Sequence, residues 1–378
     1  MTDYRRQIDE IDSQLVSLFA SRMQVSSAIG QYKKEHNLPV LDSSRERAKL
    51  ADVAQKSPAD IKDYTVALYN LIFELSRSYQ NRLQGKNSAL LKEIHTAIET
   101  TPHLFPESAT VACQGVEGAY SQIACDRLFR LPEVTYFPTF DAVFTAIERG
   151  ECRYGIIPVE NSTAGSVNAV YDLMMRHDFR IVRSVRVKID HNLLARPGAT
   201  LGGIREVYSH EQAIAQCSEF LQAHPEIKVN RCENTAVAAK RVAESGRLDV
   251  AALSSRSCAE LYGLCCLAEC VQDRGNNSTR FICISKKPEI YPGADRTSLM
   301  MVLPHKEGSL YKVLSGFYAL GVNLNKLESR PLPDRNFEFM FYFDIDIPVY
   351  SPRFEQLMEE LPGMCENLTY LGSYSEVV

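Results

Sequence analysis

Thr279 and Arg280 stand side by side in Asp273-Arg-Gly-Asn-Asn-Ser-Thr-Arg-Phe281. A hydroxyl that can give up its proton beside a fixed cation suits an anionic substrate that must lose an oxygen. The eight residues before Phe281 carry no apolar side chain longer than a methyl, and they run into Phe281-Ile-Cys-Ile284, which reads as a buried strand. The pattern predicts a polar loop feeding a core strand, with the reacting hydroxyl at the rim of a cleft. An ordinary surface turn of the Asn-Gly type is the competing reading.

A second set of reactive types lies near the N-terminus. Ile8, Ile11, Leu15, Leu18, Arg22, Val25, Ile29 and Tyr32 recur at alternating spacings of three and four, the stripe of one long helix. A cation in that seam is unfavourable unless it meets an anion, so Arg22 is either a ligand-binding charge or a structural ion pair or register device. Lys33 lies three turns on, on the same face and roughly 16 Å away. Arg5 lies about 100° round the helix and roughly 25 Å back. Arg5 and Arg22 therefore share a site only if a second copy of the chain supplies one of them.

Asn37-Leu38-Pro39 ends this helix, and Ser43-Ser-Arg-Glu46 reads as a capping box opening a shorter one, with Asp42 and Glu46 on one face. Ser57-Pro58 is expected to start a third helix with the stripe Ile61, Thr65, Leu68, Ile72, Leu75, Tyr79 and Leu83. Ser76 and Gln80 sit one turn apart on its flank. Two long helices and a short one make a poor monomeric core, which argues for an intertwined dimer. Arginines, a lysine, a glutamine and a serine on inward faces describe a pocket for a small dicarboxylate.

As it stands this pattern resembles the helical chorismate mutase family over residues 1–84. The matching positions are Arg5, Arg22 with Lys33, Asp42 with Arg45 and Glu46, and Ser76 with Gln80. The resemblance implies that Arg5 serves the partner subunit's site. It implies that Arg5, Arg22 and Arg45 hold substrate carboxylates, Arg45 as support, Lys33 and Gln80 the ether oxygen, and Asp42 and Glu46 the hydroxyl.

Residues 86–106 read as a helical tail and a Pro-punctuated linker. Strands then alternate with helices: Thr110–Cys113, Tyr154–Val159, Val207–His210 and Leu248–Leu253, each followed by polar residues. That order predicts parallel α/β sheets with a cleft at the strand ends. Gly115–Ser121, Pro158-Val-Glu160-Asn161-Ser162, Ser209-His-Glu-Gln212 with Gln216, Asn234-Thr-Ala and Ser278-Thr279-Arg280-Phe281 resemble prephenate dehydratase over residues 107–286. Val116, Ala119 and Glu211 depart from that family's usual residues. The resemblance makes Thr279 the essential residue and the proton donor, with Asn161, Ser209 and Gln216 as polarising neighbours. Glu160 is a competing acid, Ser162 is placed at the site, and Arg280 is either a partner of a substrate carboxylate or a structural ion pair.

Beyond Pro292-Gly293 a βαββαβ order is expected over residues 296–373: strands Thr297–Val302, Asn323–Leu327, Phe337–Ile345 and Leu368–Leu371, helices Gly308–Leu320 and Pro352–Leu361. Gly308-Ser309-Leu310-Tyr311 and Glu328-Ser329-Arg330-Pro331 resemble the amino-acid-binding regulatory ACT domain, although Gly-Ala-Leu-Val is its usual first motif. This implies phenylalanine as an effector held by those residues.

Composition narrows the class. The 378 residues exceed what one core fills, and a formal charge of −5 with 24% charged residues shows no global bias toward nucleic acid or membrane. No run spans a bilayer and the start reads as a charged helix, so a cytoplasmic protein is expected. The eleven cysteines read as reduced thiols; Cys258, Cys265, Cys266 and Cys270 have the spacing of one helix and fit no zinc pattern. The expectation is therefore a multidomain enzyme needing no metal or cofactor. An all-α mutase part (1–90, an intertwined dimer) and a linker (91–106) precede a two-lobed, periplasmic-binding-protein-like α/β dehydratase (107–286). A ferredoxin-like α+β ACT domain (296–373) follows. Chorismate, prephenate and phenylalanine are its small-molecule partners, in a homodimer or higher oligomer. Arogenate as the second substrate, or a non-catalytic amino-acid sensor, are the alternatives.

Overall fold

The alternating stripe forms one uninterrupted helix, α1 (Thr2–Glu35), whose 34 residues extend about 50 Å. The computed structural model describes residues 1–36, 38–83, 89–333, 335 and 338–377, with only the backbone of 81–83. The expected break at Asn37, the side chain of the stripe position Leu83, the linker start at 86–88 and the strand start at Phe337 lie outside the described residues.

α2 (Ser43–Lys56) is capped by Asp42 and not by Ser43: the carboxylate accepts from Arg45 N at 3.0 Å and from Ser44 Oγ at 2.7 Å. A carboxylate is the better acceptor at the positive end of a helix dipole, so it displaces the neighbouring hydroxyl. α3 (Lys62–Leu83) starts later than Ser57-Pro58 predicts. Ser57 closes α2, its N–H and Oγ both donating to Val53 O at 3.0 and 2.8 Å. A serine closing one helix is not free to open the next.

After α4 (Ala89–Thr100) come β1 (Ser108–Gln114), α5 (Tyr120–Leu128), β2 (Leu131–Phe137), α6 (Phe140–Arg149), β3 (Tyr154–Asn161), β4 (Gly165–Ser166), α7 (Asn168–Met174) and β5 (Arg180–Lys188). A second lobe holds β6 (Asn192–Ala195), β7 (Glu206–Ser209), α8 (Glu211–Gln216), α9 (Ser218–Gln222), β8 (Lys228–Arg231), α10 (Thr235–Glu244), β9 (Val250–Ser254), α11 (Arg256–Tyr262) and β10 (Cys265–Ala268). The chain returns through β11 (Ser278–Ser285). It continues as β12 (Arg296–Val302), α12 (Ser309–Ala319), β13 (Asn323–Pro331), β14 (Phe339–Asp346), α13 (Pro352–Glu360), β15 (Asn367–Tyr374) and β16 (Glu376–Val377).

Two compact units divide these elements. Met1–Glu93, Met301–Asn323 and Tyr350–Leu368 form one; Ile94–Met300, Leu324–Val349 and Thr369–Val378 form the other. The expected helical tail is α4, which runs into the expected linker range 91–106 and buries Ile94 and Ala97; after it Thr101 Oγ1 accepts from Ile290 N at 3.0 Å. The first lobe's sheet has the order β16-β5-β11-β3-β1-β2 with β4 on β3, the second lobe's β10-β6-β9-β7-β8. Both are mixed where parallel sheets were expected: β11 opposes β3 and β5, and β6 opposes β9. The chain leaves the first lobe after β5 and re-enters through β11, and a strand coming back from the cleft must oppose those that point toward it.

The C-terminal strands follow the expected βαββαβ order in a sheet arranged β13-β14-β12-β15. Tyr342, Leu371 and Tyr374 from this sheet share a core with Ile157, Tyr171 and Ile282 of the first lobe. The four clustered cysteines are divided between α11, β10 and the segment after it, because Gly263, left-handed at φ 63°, ends α11. No described helix is long and apolar enough to cross a membrane.

Candidate active sites

In the helical unit a pocket of about 370 Å³ gathers Arg22, Lys33, Asp42, Arg45, Glu46, Ser76 and Gln80. α1 presents Arg22, Ser26 and Lys33 along one face, α2 presents Asp42 to Lys49, and α3 presents Phe73 to Gln80. Gly30 lets α1 and α3 close there, since a Cβ on it would stand 3.0 Å from Gln80 Cγ. Arg22 Nη1 donates to Ser76 Oγ, whose hydroxyl donates to Ile72 O at 2.7 Å, and the guanidinium lies 5.6 Å from the Phe73 ring centroid. Burial lowers the Arg22 pKa from the ordinary arginine value, against the pull of Tyr69 and Glu46, and leaves it a cation at neutral pH. Lys33 Nζ donates to Val40 O at 2.6 Å. Gln80 is buried and its Oε1 has no hydrogen-bond partner among the described residues. The Arg45 N–H, then the Ser44 hydroxyl, hold the Asp42 carboxyl below its ordinary value.

Arg77 and Lys49 escaped the sequence reading. Arg77 Nη1 pairs with Glu46 Oε1, and Lys49 lines the same pocket. The signal was present: Arg77 is three residues from Gln80, and Lys49 three from Glu46, the spacing of one helix face. Arg5 is exposed on the first turns of α1 and lies outside this pocket. Ile8, Ile11, Leu15 and Leu18 are exposed along the same helix.

The second site is a cleft of about 520 Å³ between the two α/β lobes. β11 begins at Ser278 and not at Phe281, so Thr279 and Arg280 are strand residues and face opposite ways. β3 likewise continues through Glu160 and Asn161. Thr279 pairs with Asn161, and Arg280 with Glu160; the register then slips at Val159, a β-bulge beside the site. Asn161, Gln216 and Thr279 line the cleft.

Four expected site residues point elsewhere. Arg280 pairs through Nη1 with Asp344 Oδ2, and Glu160 Oε1 accepts from Lys326 Nζ at 2.9 Å, both on the sheet face away from the cleft. Ser162 Oγ donates to Asn276 O and accepts from Ser278 N, at 3.0 and 2.9 Å, closing a loop. Ser209 is fully buried and donates to Leu253 O at 2.7 Å. Its neighbour His210 reaches the cleft instead.

Backbone donors fix the direction of every bond around Thr279. Thr163 N and Ala164 N donate to Asn161 Oδ1 at 3.0 and 2.9 Å, so the other end of that amide must be its NH₂. Asn161 Nδ2 therefore donates to Thr279 Oγ1 at 2.9 Å and to Asn277 Oδ1 at 2.8 Å. Asn277 Nδ2 in turn donates to Gln216 Oε1 at 3.0 Å, and Gln216 Nε2 to Thr163 Oγ1 at 2.9 Å. The remaining contact on Gln216 Oε1, His191 Nε2 at 2.9 Å, must then be an N–H. Thr279 accepts from Asn161 and keeps its own proton to donate.

The sequence reading also missed His191. Burial pushes its pKa below the ordinary histidine value, against the Gln216 hydrogen bond, and the ring is neutral at pH 7. Asp190-His191-Asn192 is a polar triplet after strand β5, the same signal used for four other strands. Among the described residues no lysine or arginine lines the cleft. Tyr120, Ser121 and Thr235 bring the first turns of α5 and α10 there, and the N–H groups of a helix's first turn attract carboxylates; in α10 Asn234 Oδ1 already accepts from Val237 N at 2.8 Å.

The expected effector residues fall in different units. Gly308, left-handed at φ 77°, opens α12 with Ser309 and Leu310 in its first turn. Glu328–Pro331 continue strand β13, so their side chains alternate. Glu328 Oε2 accepts from Ser166 Oγ, and Arg330 grips Asp172 with Nε and Nη2 at 2.7 and 2.8 Å; Ser329 and Pro331 are exposed. Two of the motif's charges are thus engaged with the first lobe.

The chorismate mutase type II family matches residues 4–81, and the prephenate dehydratase family matches residues 111–289. The bifunctional chorismate mutase/prephenate dehydratase of Escherichia coli (strain K12) is 31% identical over 381 residues, covering 98% of this chain and 95% of that protein. A solved structure described as GqqA, a novel type of quorum quenching acylase, is 31% identical with a TM-score of 0.65, covering 71% of this chain and 98% of that one. The prephenate dehydratase of Arthrobacter aurescens, solved in complex with L-Phe, is 29% identical with a TM-score of 0.65, over 70% of this chain and 90% of that one. A match running through both pockets and almost to both ends makes this chain a member of the bifunctional chorismate mutase/prephenate dehydratase family.

Proposed function

We propose that the helical pocket rearranges chorismate to prephenate and that the cleft converts prephenate to phenylpyruvate. The first reaction is an intramolecular rearrangement in which no proton need move. The pocket's task is to hold the folded conformer and to stabilise charge on the breaking ether. Arg22, with Arg45 as support, binds carboxylate; Lys33 and Gln80 address the ether oxygen; Asp42 and the Arg77-bound Glu46 hold the hydroxyl. In the second reaction the C–CO₂ bond breaks, its electrons aromatise the ring, and the ring hydroxyl leaves with the proton of Thr279. The observation that carries this reading is the fixed polarity around Thr279, which leaves its O–H as the free donor.

A time course from chorismate tests it, with chorismate, prephenate and phenylpyruvate followed separately. Prephenate should rise and fall as phenylpyruvate accumulates, and saturating phenylalanine should slow the second step. If neither compound is converted, the reading fails. Unchanged prephenate turnover with phenylalanine removes its regulatory part. Arogenate offered in place of prephenate measures the preference between them.

The regulatory part rests on residues 296–373 as an ACT domain, supported by their βαββαβ order and by the relative solved with L-Phe. Gly308, Ser309, Leu310, Ser329 and Pro331 are the candidates to face the effector.

The mutase site is completed by a second subunit. The exposed stripe of α1 and the distance of Arg5 from its own pocket support a dimer in which Arg5 of each chain serves the other. Arg5→Ala and Arg22→Ala proteins should each be nearly inactive alone. Mixed, unfolded together and refolded, they should regain about a quarter of wild-type turnover: half the dimers are mixed, and one of the two sites in each is intact. No recovery on mixing would place Arg5 outside the shared site.

A further inference from the structure

Thr279 and Asn161 face the cleft, while their strand neighbours Arg280 and Glu160 face away from it, paired across the same two strands. Each outward residue is held by the C-terminal sheet. Arg280 is buried and pairs with Asp344 of β14, which has no exposed surface. Asp344 is itself fixed, its Oδ1 accepting from Ser298 Oγ and Tyr374 Oη, both at 2.9 Å. Glu160 is bound by Lys326 of β13, whose Nζ also donates to Ser166 Oγ at 2.7 Å. Along β13, Lys326, Glu328 and Arg330 recur at every second residue, and all three are engaged with the first lobe. A solvent-facing strand has no need of such a row.

We propose that Arg280 and Asp344 are positioning residues for the dehydratase: the C-terminal sheet sets the offset of β11 on β3, and with it the aim of the Thr279 hydroxyl. This rests on Thr279 as proton donor. A strand residue cannot shift along its neighbour without carrying the next residue with it. Arg280 is anchored at its tip to a carboxylate that cannot move, so Thr279 Oγ1 is held at its 2.9 Å contact with Asn161 from the opposite face. An ångström of misplacement at a reacting group lowers rates about a hundredfold. The adjacent bulge, where the ladder is interrupted, makes the register here depend on side-chain anchors. Neither residue touches the substrate space.

The test separates positioning from plain stabilisation. In Arg280→Met with Asp344→Asn no unpaired charge is left, Met fills the arginine stem, and Asn still accepts from Ser298 and Tyr374. A pair that only stabilised the fold would be replaced without loss. The proposal expects a melting temperature and mutase turnover close to wild type, with prephenate kcat lowered about 10- to 100-fold and KM within about threefold. Asp344→Asn alone is the second variant: it leaves the buried Arg280 cation with Glu160 at 3.9 Å, so its melting temperature should fall, while the folded protein should show the same loss of prephenate kcat at a KM within about threefold. A dehydratase kcat within twofold of wild type in either folded variant overturns the proposal. Thr279→Ala is run beside them: if it stays active, the reading of Thr279 fails first. If it is inactive while the Asp344 variants are not, only the positioning role is lost.

Discussion

Thr279→Ala should accumulate prephenate from chorismate, with the dehydratase kcat lowered by about 10²- to 10⁴-fold, the usual contribution of a positioned proton donor. Mutase turnover should be unchanged. A threonine hydroxyl is a weak acid, and on the proposed reading Asn161 Nδ2, which donates into Oγ1 at 2.9 Å, would stabilise the oxyanion left behind. The fold should tolerate the change, because Asn161 Nδ2 keeps its second acceptor, Asn277 Oδ1 at 2.8 Å. Thr279→Ser, which restores the hydroxyl without the methyl, should remain within about tenfold of wild type. A purely structural role would lower the melting temperature of Thr279→Ala and leave kcat intact. Separate kcat and KM for prephenate, with thermal melts, decide between the two.

How much of this was legible beforehand depends on what kind of signal each residue gives. Helical periodicity carried Arg22, Lys33, Ser76 and Gln80 into one pocket, because a 3.6-residue repeat fixes which side chains share a face. Arg77 obeys the same rule and was missed only because Glu46 was read without a partner. The strand residues were harder. Adjacent residues on a strand face opposite ways, so placing the boundary of β11 three residues late left Arg280 open between a substrate ligand and the structural ion pair it makes. The same slip at β3 put Glu160 in the cleft. Ser209 failed for another reason: nothing local distinguishes a hydroxyl bound to the Leu253 carbonyl from one facing substrate. The mixed sheets were also hidden, since strand direction follows from which lobe the chain comes back from. Asp344 was out of reach altogether, being distant in sequence from Arg280 and silent as a motif.

Arg22→Ala should abolish most chorismate consumption, by about 10²- to 10³-fold or roughly 3–4 kcal/mol of transition-state stabilisation, while added prephenate is still converted at the wild-type rate. The arginine is a constrained cation. Ser76 accepts from its Nη1, Phe73 lies under the guanidinium, and half-burial in the seam of α1 lets it turn only a little. A charge held this way needs no reorganisation as the ether breaks, which is where such a donor acts most strongly. Removing it should not unfold the helices, since Ser76 Oγ keeps its bond to Ile72 O at 2.7 Å and the lost guanidinium leaves no buried anion behind. Arg22→Lys is the sharper variant. It keeps the charge but loses the planar fork, so a rate close to that of Arg22→Ala would show that geometry and not charge carries the effect. Retention of mutase turnover in Arg22→Ala, with melting unchanged, would instead make this arginine a register device for α1 and move the carboxylate contact to Arg45 or Lys49.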